Sequence, residues 1–322
     1  METTDSMPTT GSPNNAISDT ILERGHLLTE QANPNSQSLD QLTSVELVDL
    51  FNKEDQNVVE AIANARLPLA QAVDRIAAAL SQGGRLFYIG AGTSGRLGVL
   101  DAAECPPTFC TPPEWVQGIL AGGKDALVRS SEGLEDRADD GAQAIADRHI
   151  SELDVVVGIT AGGTTPYVHG ALKAAAERKA TTIFIACVPA SQVLLDVDVD
   201  IRLLVGPEIL AGSTRLKAGT VTKLALNILS TGAMVKLGKV YGNRMVDVAV
   251  TNTKLYDRAC RILEDLADVD RATAAHLLKE SDNQVKLALL MHWTGVSAAE
   301  GRSLLEQCGG HLRQAVNQYQ SA

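Results

Sequence analysis

Residues 85–95 read Arg85-Leu86-Phe87-Tyr88-Ile89-Gly90-Ala91-Gly92-Thr93-Ser94-Gly95, and this stretch decides the fold. Four consecutive apolar residues, bounded upstream by Gly83-Gly84, describe a strand buried on both faces. Three glycines and two hydroxyls follow, and residues 96–103 then take up a helical pattern. Strand, glycine loop and helix in succession form the unit from which parallel sheets are built.

The same unit recurs downstream. Apolar runs predict strands over 116–120, 154–159, 181–186 and 201–205. Helical segments fill 124–149, begin again near Pro166, and run long over 217–237. The predicted fold class is α/β, a parallel five-stranded sheet flanked by helices. Right-handed crossovers set every strand-to-helix loop along one sheet edge, and ligands of such sheets bind there, where the strand order reverses. Upstream, Thr43-Ser44-Val45-Glu46 has the spacing of a capping box. Helical periodicity continues from it to residue 82, with Pro68 in the first turn of the last helix. Beyond residue 252 the strands cease, and helices are predicted over 270–279, 283–293 and 297–307, with a last one after Gly309-Gly310. Four segments result: a disordered tail over 1–20, an N-terminal helical segment over 21–82, the α/β domain over 83–251, and a C-terminal helical module over 252–322.

Composition narrows the function. Of 322 residues, 45 % are hydrophobic and 21 % charged, the profile of an ordinary globular protein. Only 3 % are aromatic, so Ala, Val, Leu and Ile must build the core. The net charge of -11 gives no field to attract nucleic acid or an anionic membrane, so neither is expected as a partner. An anionic substrate must therefore be held by local donors, backbone N–H groups at helix starts and hydroxyls. The five cysteines form no CxxC pair, and the six histidines show no ligand spacing, so no metal site is expected. The first residues lack a basic start and an apolar core segment, and no apolar run reaches membrane-spanning length. A cytoplasmic location is the expectation.

Gly90-Ala91-Gly92-Thr93-Ser94-Gly95 formally matches the GxGxxG dinucleotide fingerprint. That fingerprint also needs an acidic residue ending the second strand, and here the strand runs into Leu120-Ala121-Gly122-Gly123. A phosphate cradle fits better, because Gly92, Thr93, Ser94 and Gly95 put hydroxyls beside free N–H groups where the helix dipole favours an anion. Two further clusters occupy matching positions: Gly162-Gly163-Thr164-Thr165, and Gly212-Ser213-Thr214-Arg215-Leu216-Lys217. Each alone is also a plausible helix cap. For chemistry, Glu104 is expected at a helix end, held by Pro106, where the dipole disfavours its charge. Glu135 follows Glu132-Gly133-Leu134. Taken singly, each of these glutamates is as consistent with a surface position, but acid/base work on a sugar commonly uses a carboxylate pair.

The run from Gly90 to Phe109, with Asp101-Ala102-Ala103-Glu104-Cys105-Pro106-Pro107 at its end, resembles that of the N-acetylmuramic acid 6-phosphate etherases. These are members of the sugar isomerase (SIS) fold, a flavodoxin-like arrangement. Glu132 to Asp136, Thr165 to Val168, Gly212 to Thr220, Gly238 to Asp247 and the N-terminal Thr29-Glu30 and Ser36 to Asp40 resemble the same family. The final helices resemble its small UBA-like module. The resemblance implies a lyase that releases D-lactate and N-acetylglucosamine 6-phosphate by elimination and water addition, without metal or organic cofactor, acting as a homodimer. It implies Glu104 and Glu135 as the catalytic pair. Gly92, Thr93, Ser94, Gly95, Gly162, Thr164, Thr165, Ser213, Thr214 and Lys217 are then the residues expected to bind the sugar phosphate. A non-catalytic sugar-phosphate regulator and a sugar-phosphate isomerase are the alternatives. One departure stands out: where the family reads Ala-Ser-Gly-Arg-Thr-Pro-Tyr, this chain has Ala161-Gly162-Gly163-Thr164-Thr165-Pro166-Tyr167, without the cation.

Overall fold

The computed structural model describes residues 23–130, 133–248 and 250–321, and the tail expected over 1–20 lies outside them. Thr43 and Glu46 close the capping box, with the Thr43 N–H donating to the Glu46 carboxylate at 2.8 Å. Helix α1 (Ser44–Asn64) follows, and α2 (Arg66–Ser81) carries Pro68 in its first turn.

Strands β1 (Leu86–Gly90), β2 (Val116–Leu120), β3 (Val155–Ile159), β4 (Thr181–Ala186) and β5 (Val199–Arg202) form one parallel sheet in the order β2-β1-β3-β4-β5. Between them lie α3 (Gly92–Phe109), α4 (Asp125–Val128), α5 (Ala138–Asp147) and α6 (Pro166–Glu177), and α7 (Lys217–Lys236) follows β5. Leu86 and Tyr88 pack with α1, α2, α3 and α7 on one face, while Phe87 and Ile89 pack with α5 and α6 on the other. This double burial explains why the strands read as unbroken apolar runs. Each fully buried Ile or Phe contributes about 1.5–3 kcal/mol. The starts of β1 and β3 are tied by Asp154, which accepts from the Arg85 backbone N–H at 2.9 Å and from its Nε at 3.0 Å.

Three elements differ from expectation. Helix α3 starts at Gly92 rather than 96, so most of the glycine loop is its first turn. A φ of 53° at Gly92 turns the chain directly out of β1. The helix also continues through Pro106 and Pro107 to Phe109, with Cys110 in the left-handed conformation. Burial of Cys105 and Phe109 in the sheet core holds that last turn against the local preference of the prolines. Glu104 therefore sits five residues inside the helix, not at its end. β5 spans 199–202 rather than 201–205, placing Val199 and Ile201 inward against α2. A small hairpin, β6 (Val240–Tyr241) and β7 (Arg244–Met245), had no signal in the sequence reading.

Beyond it, α8 (Thr253–Ala267), α9 (Arg271–Glu280), α10 (Val285–Thr294), α11 (Ala298–Gln307) and α12 (Leu312–Gln320) enclose a core of their own around Leu263, Leu278 and Leu289. No helix among the described residues is long and apolar enough to cross a membrane.

Candidate active site

At the carboxyl edge of the sheet a cavity of about 240 Å³ opens where β1 and β3 end. Gly92, Thr93 and Ser94 line it from the first turn of α3, and Thr160, Gly162, Thr164 and Thr165 from the loop after β3. Thr214 lines it from just before α7, Ala218, Gly219 and Thr222 from the first two turns of α7, and Glu135 from the segment before α5. The first two of the three glycine clusters singled out in the sequence thus converge, and the third adds Thr214. A larger cavity of about 580 Å³ flanks edge strand β2, lined by Val99, Leu127 and Leu134 among others. Among the described residues its lining holds no Ser or Thr hydroxyl and no residue of the three glycine clusters, so size does not select it.

The first turn of α3 has donors that could hold an anion. Its N-cap, Ala91, supplies no side-chain acceptor, so the amides of Gly92, Thr93 and Ser94 keep their donors free beside two hydroxyls. Gly95 contributes differently: it does not line the cavity. A Cβ there would stand 2.4 Å from the Gly90 carbonyl oxygen, so its role is to let α3 rest against β1. The second loop is braced from within, the Thr160 and Thr165 hydroxyls sharing a hydrogen bond of 2.7 Å and His169 Nε2 standing 2.6 Å from the Gly163 carbonyl. The N-cap of α6, Thr165, likewise makes no capping bond. Glu135 is held by its own carbonyl, which accepts the Tyr167 N–H at 3.0 Å.

The third cluster behaves otherwise. Glu208, 1 % exposed, reaches the start of α7 and accepts the N–H groups of Lys217 at 3.0 Å and Ala218 at 2.9 Å. Burial pushes the Glu208 carboxyl above its ordinary value, while these two amides and the Lys217 charge pull the other way. An anion site at α7 is therefore already filled by the protein. Lys217 is turned inward too, its Nζ 2.6 Å from the Glu54 carboxylate, which also accepts from Asn33 and Asn35 at 2.7 and 2.8 Å. Burial opposes the charge on Glu54, but these donors outweigh it and hold the carboxyl below its usual value. Neither Lys217 nor Ser213 lines the cavity, whereas Thr214 does.

Glu104 is exposed on α3 and also outside the cavity lining. Eleven residues separate it from Thr93, about 16 Å of helix rise. The neighbouring Cys105 thiol is pushed by burial to about 12, and so is that of Cys187, which keeps both protonated at neutral pH.

Two charged residues in the cavity escaped the sequence reading, Arg24 and Glu30. Glu30 stands close to the third cluster, its Oε2 3.1 Å from where a Cβ on Gly212 would fall. The segment is fixed by Leu27, buried in the core, and by Gln192, which accepts the Leu28 N–H at 3.0 Å and donates to the His26 carbonyl at 2.9 Å. Thr29-Glu30 was the one local signal, as a motif without an assigned role.

Sheet order, uncapped helix start and hydroxyl-lined edge define a domain of the SIS class. Residues 68–176 match the model of the glucokinase regulatory protein N-terminal SIS domain. Residues 242–288 match that protein's C-terminal lid domain, and 284–319 a UBA-like domain. An N-acetylmuramic acid 6-phosphate etherase of Crocosphaera subtropica is 70 % identical over 94 % of this chain and 100 % of its own. One of Synechocystis sp. is 74 % identical over 92 % and 97 %. A phosphoheptose isomerase structure from Neisseria gonorrhoeae covers 58 % of this chain and 96 % of its own at 19 % identity, with a TM-score of 0.42. The chain belongs to the N-acetylmuramic acid 6-phosphate etherase family.

Proposed function

We propose that the chain cleaves the D-lactyl ether of N-acetylmuramic acid 6-phosphate, releasing D-lactate and N-acetylglucosamine 6-phosphate. Membership of the etherase family supports the carbon–oxygen lyase reaction. The observation that carries it is one cavity holding both an uncapped helix start for the phosphate and the carboxylate of Glu135 for proton transfer. From the ring-opened sugar, one carboxylate takes the C2 proton while the other protonates the lactate oxygen as the C3–O bond breaks. Water then adds across the double bond, its oxygen to C3 and a proton to C2, with the two roles reversed. The sugar phosphate binds through the amides of Gly92, Thr93 and Ser94 and the hydroxyls of Thr93, Ser94, Thr164, Thr165 and Thr214.

Glu104 is the second carboxylate of this reading, and the protein acts as a homodimer. The position of Glu104 on the outer face of α3, beside exposed Leu100, supports its delivery to the cavity of a partner subunit. Reaction on a phosphorylated sugar fits the cytoplasm, as do five cysteines that form no disulfide.

The test is lactate release by wild type, Glu104→Gln, Glu135→Gln and dimers mixed from the two variants. Each variant alone should lose at least about 100-fold in rate, and mixing should restore activity, because one site of each mixed dimer then carries both glutamates. No lactate from the wild type overturns the reaction. Full activity in Glu104→Gln overturns that residue's role, and inactive mixed dimers overturn its delivery from the partner.

A further inference from the structure

The cavity lining includes seven threonine or serine residues, the acidic residues Glu30 and Glu135, and one cationic residue among the described residues, Arg24. The proposed substrate carries two anionic groups, the 6-phosphate and the carboxylate of the lactyl arm. The α3 amides accommodate one of them. The loop after β3 brings backbone and hydroxyls but no charge of its own. We infer that Arg24 binds the lactyl carboxylate and thereby selects a lactyl-bearing sugar phosphate over one without that arm; this rests on the functional reading above.

Position supports the assignment. The Arg24 guanidinium stands 3.7 Å from Asp136, the residue after Glu135, so it lies at the Glu135 end of the cavity. Proton transfer at C2 and C3 belongs to that end, and the lactyl arm leaves from C3. The pair with Asp136 is solvent-exposed, at 42 % and 60 %, and so too weak to withhold the guanidinium from a ligand. A guanidinium matches a carboxylate with two parallel N–H···O bonds, which an ammonium does not. Arg24 is also anchored: its carbonyl accepts the Leu27 N–H at 2.9 Å, and Leu27 is buried. The clamp of Gln192 on His26 and Leu28 holds the following turn to the loop after β4.

The experiment compares wild type, Arg24→Gln and Arg24→Lys with two ligands that differ by the lactyl arm. The KM for N-acetylmuramic acid 6-phosphate is read beside the inhibition constant of N-acetylglucosamine 6-phosphate. In Arg24→Gln the KM should rise at least about tenfold, the loss of a charge-assisted bidentate contact, while the inhibition constant stays within about twofold and Arg24→Lys falls between. A parallel rise in both constants overturns the inference, since it makes Arg24 a phosphate ligand or a prop for the segment, and no change in either overturns it as well. Were the wild type to bind both sugars yet release no lactate, the reaction alone would fail. Calorimetric affinities for the same two ligands would then decide Arg24 by the same ratio.

Discussion

Helices α3 and α7 begin alike. Each starts at the carboxyl edge of one sheet, behind a run of Gly, Ser and Thr, and each promised a phosphate site from sequence. Both first turns line the cavity, Gly92 to Ser94 in α3 and Ala218 and Gly219 in α7, but their amides differ in what they already hold. The α3 start is uncapped and opens into the cavity. The α7 start is occupied by the buried carboxylate of Glu208, and the one lysine there is turned inward onto Glu54. A helix N-terminus attracts an anion in either case, and whether that anion is a substrate or a side chain is decided by residues distant in sequence. The difference leaves the start of α7 fixed by the protein's own carboxylate while the amides at the start of α3 stay free.

That contrast can be broken from the α7 side first. Lys217→Met removes one partner of a buried pair and leaves Glu54 with only two amide donors. A loss of about 3–5 kcal/mol in urea unfolding is expected, and unaltered stability would show that the pair does not hold α7. Glu208→Ala frees two buried amides and should cost about 2 kcal/mol by the same measurement. If the mutant instead gained affinity for sugar phosphate at its vacated helix start, the α7 end would be a latent ligand site. From the α3 side the signs reverse. Thr93→Ala and Ser94→Ala should each raise the KM for the sugar phosphate about tenfold, within the range of one hydrogen bond to a charged group. Stability should stay within about 1 kcal/mol, and a large stability loss without a change in KM would make these hydroxyls caps rather than ligands.

The sheet, its β1–α3 unit and the meeting of the loops at 90–95 and 161–165 were legible because they depend on local patterns. Apolar runs, glycines and hydroxyls report the strand ends directly, whereas Glu135, which lines the same cavity, was singled out only by the family resemblance. The end of α3 was not legible. Proline preferences point to a stop near 103, and only the burial of Cys105 and Phe109 carries the helix past Pro106 and Pro107. Lys217 was read as a ligand because its partner Glu54 lies 163 residues away. Arg24 and Glu30 sit in a stretch without periodicity, positioned by a clamp to Gln192 that no local signal announces. Local sequence located the cavity-bearing edge, and long-range contacts decided which residues line the cavity.

The central claim is that the substrate's phosphate rests on the start of α3 and not on that of α7. Backbone amide chemical shifts of labelled protein, titrated with N-acetylglucosamine 6-phosphate, test it most directly. The largest changes should fall on Gly92, Thr93 and Ser94, with Lys217 and Ala218 unmoved in their bonds to Glu208. Shifts concentrated on Lys217 and Ala218, with α3 unaffected, would contradict the account.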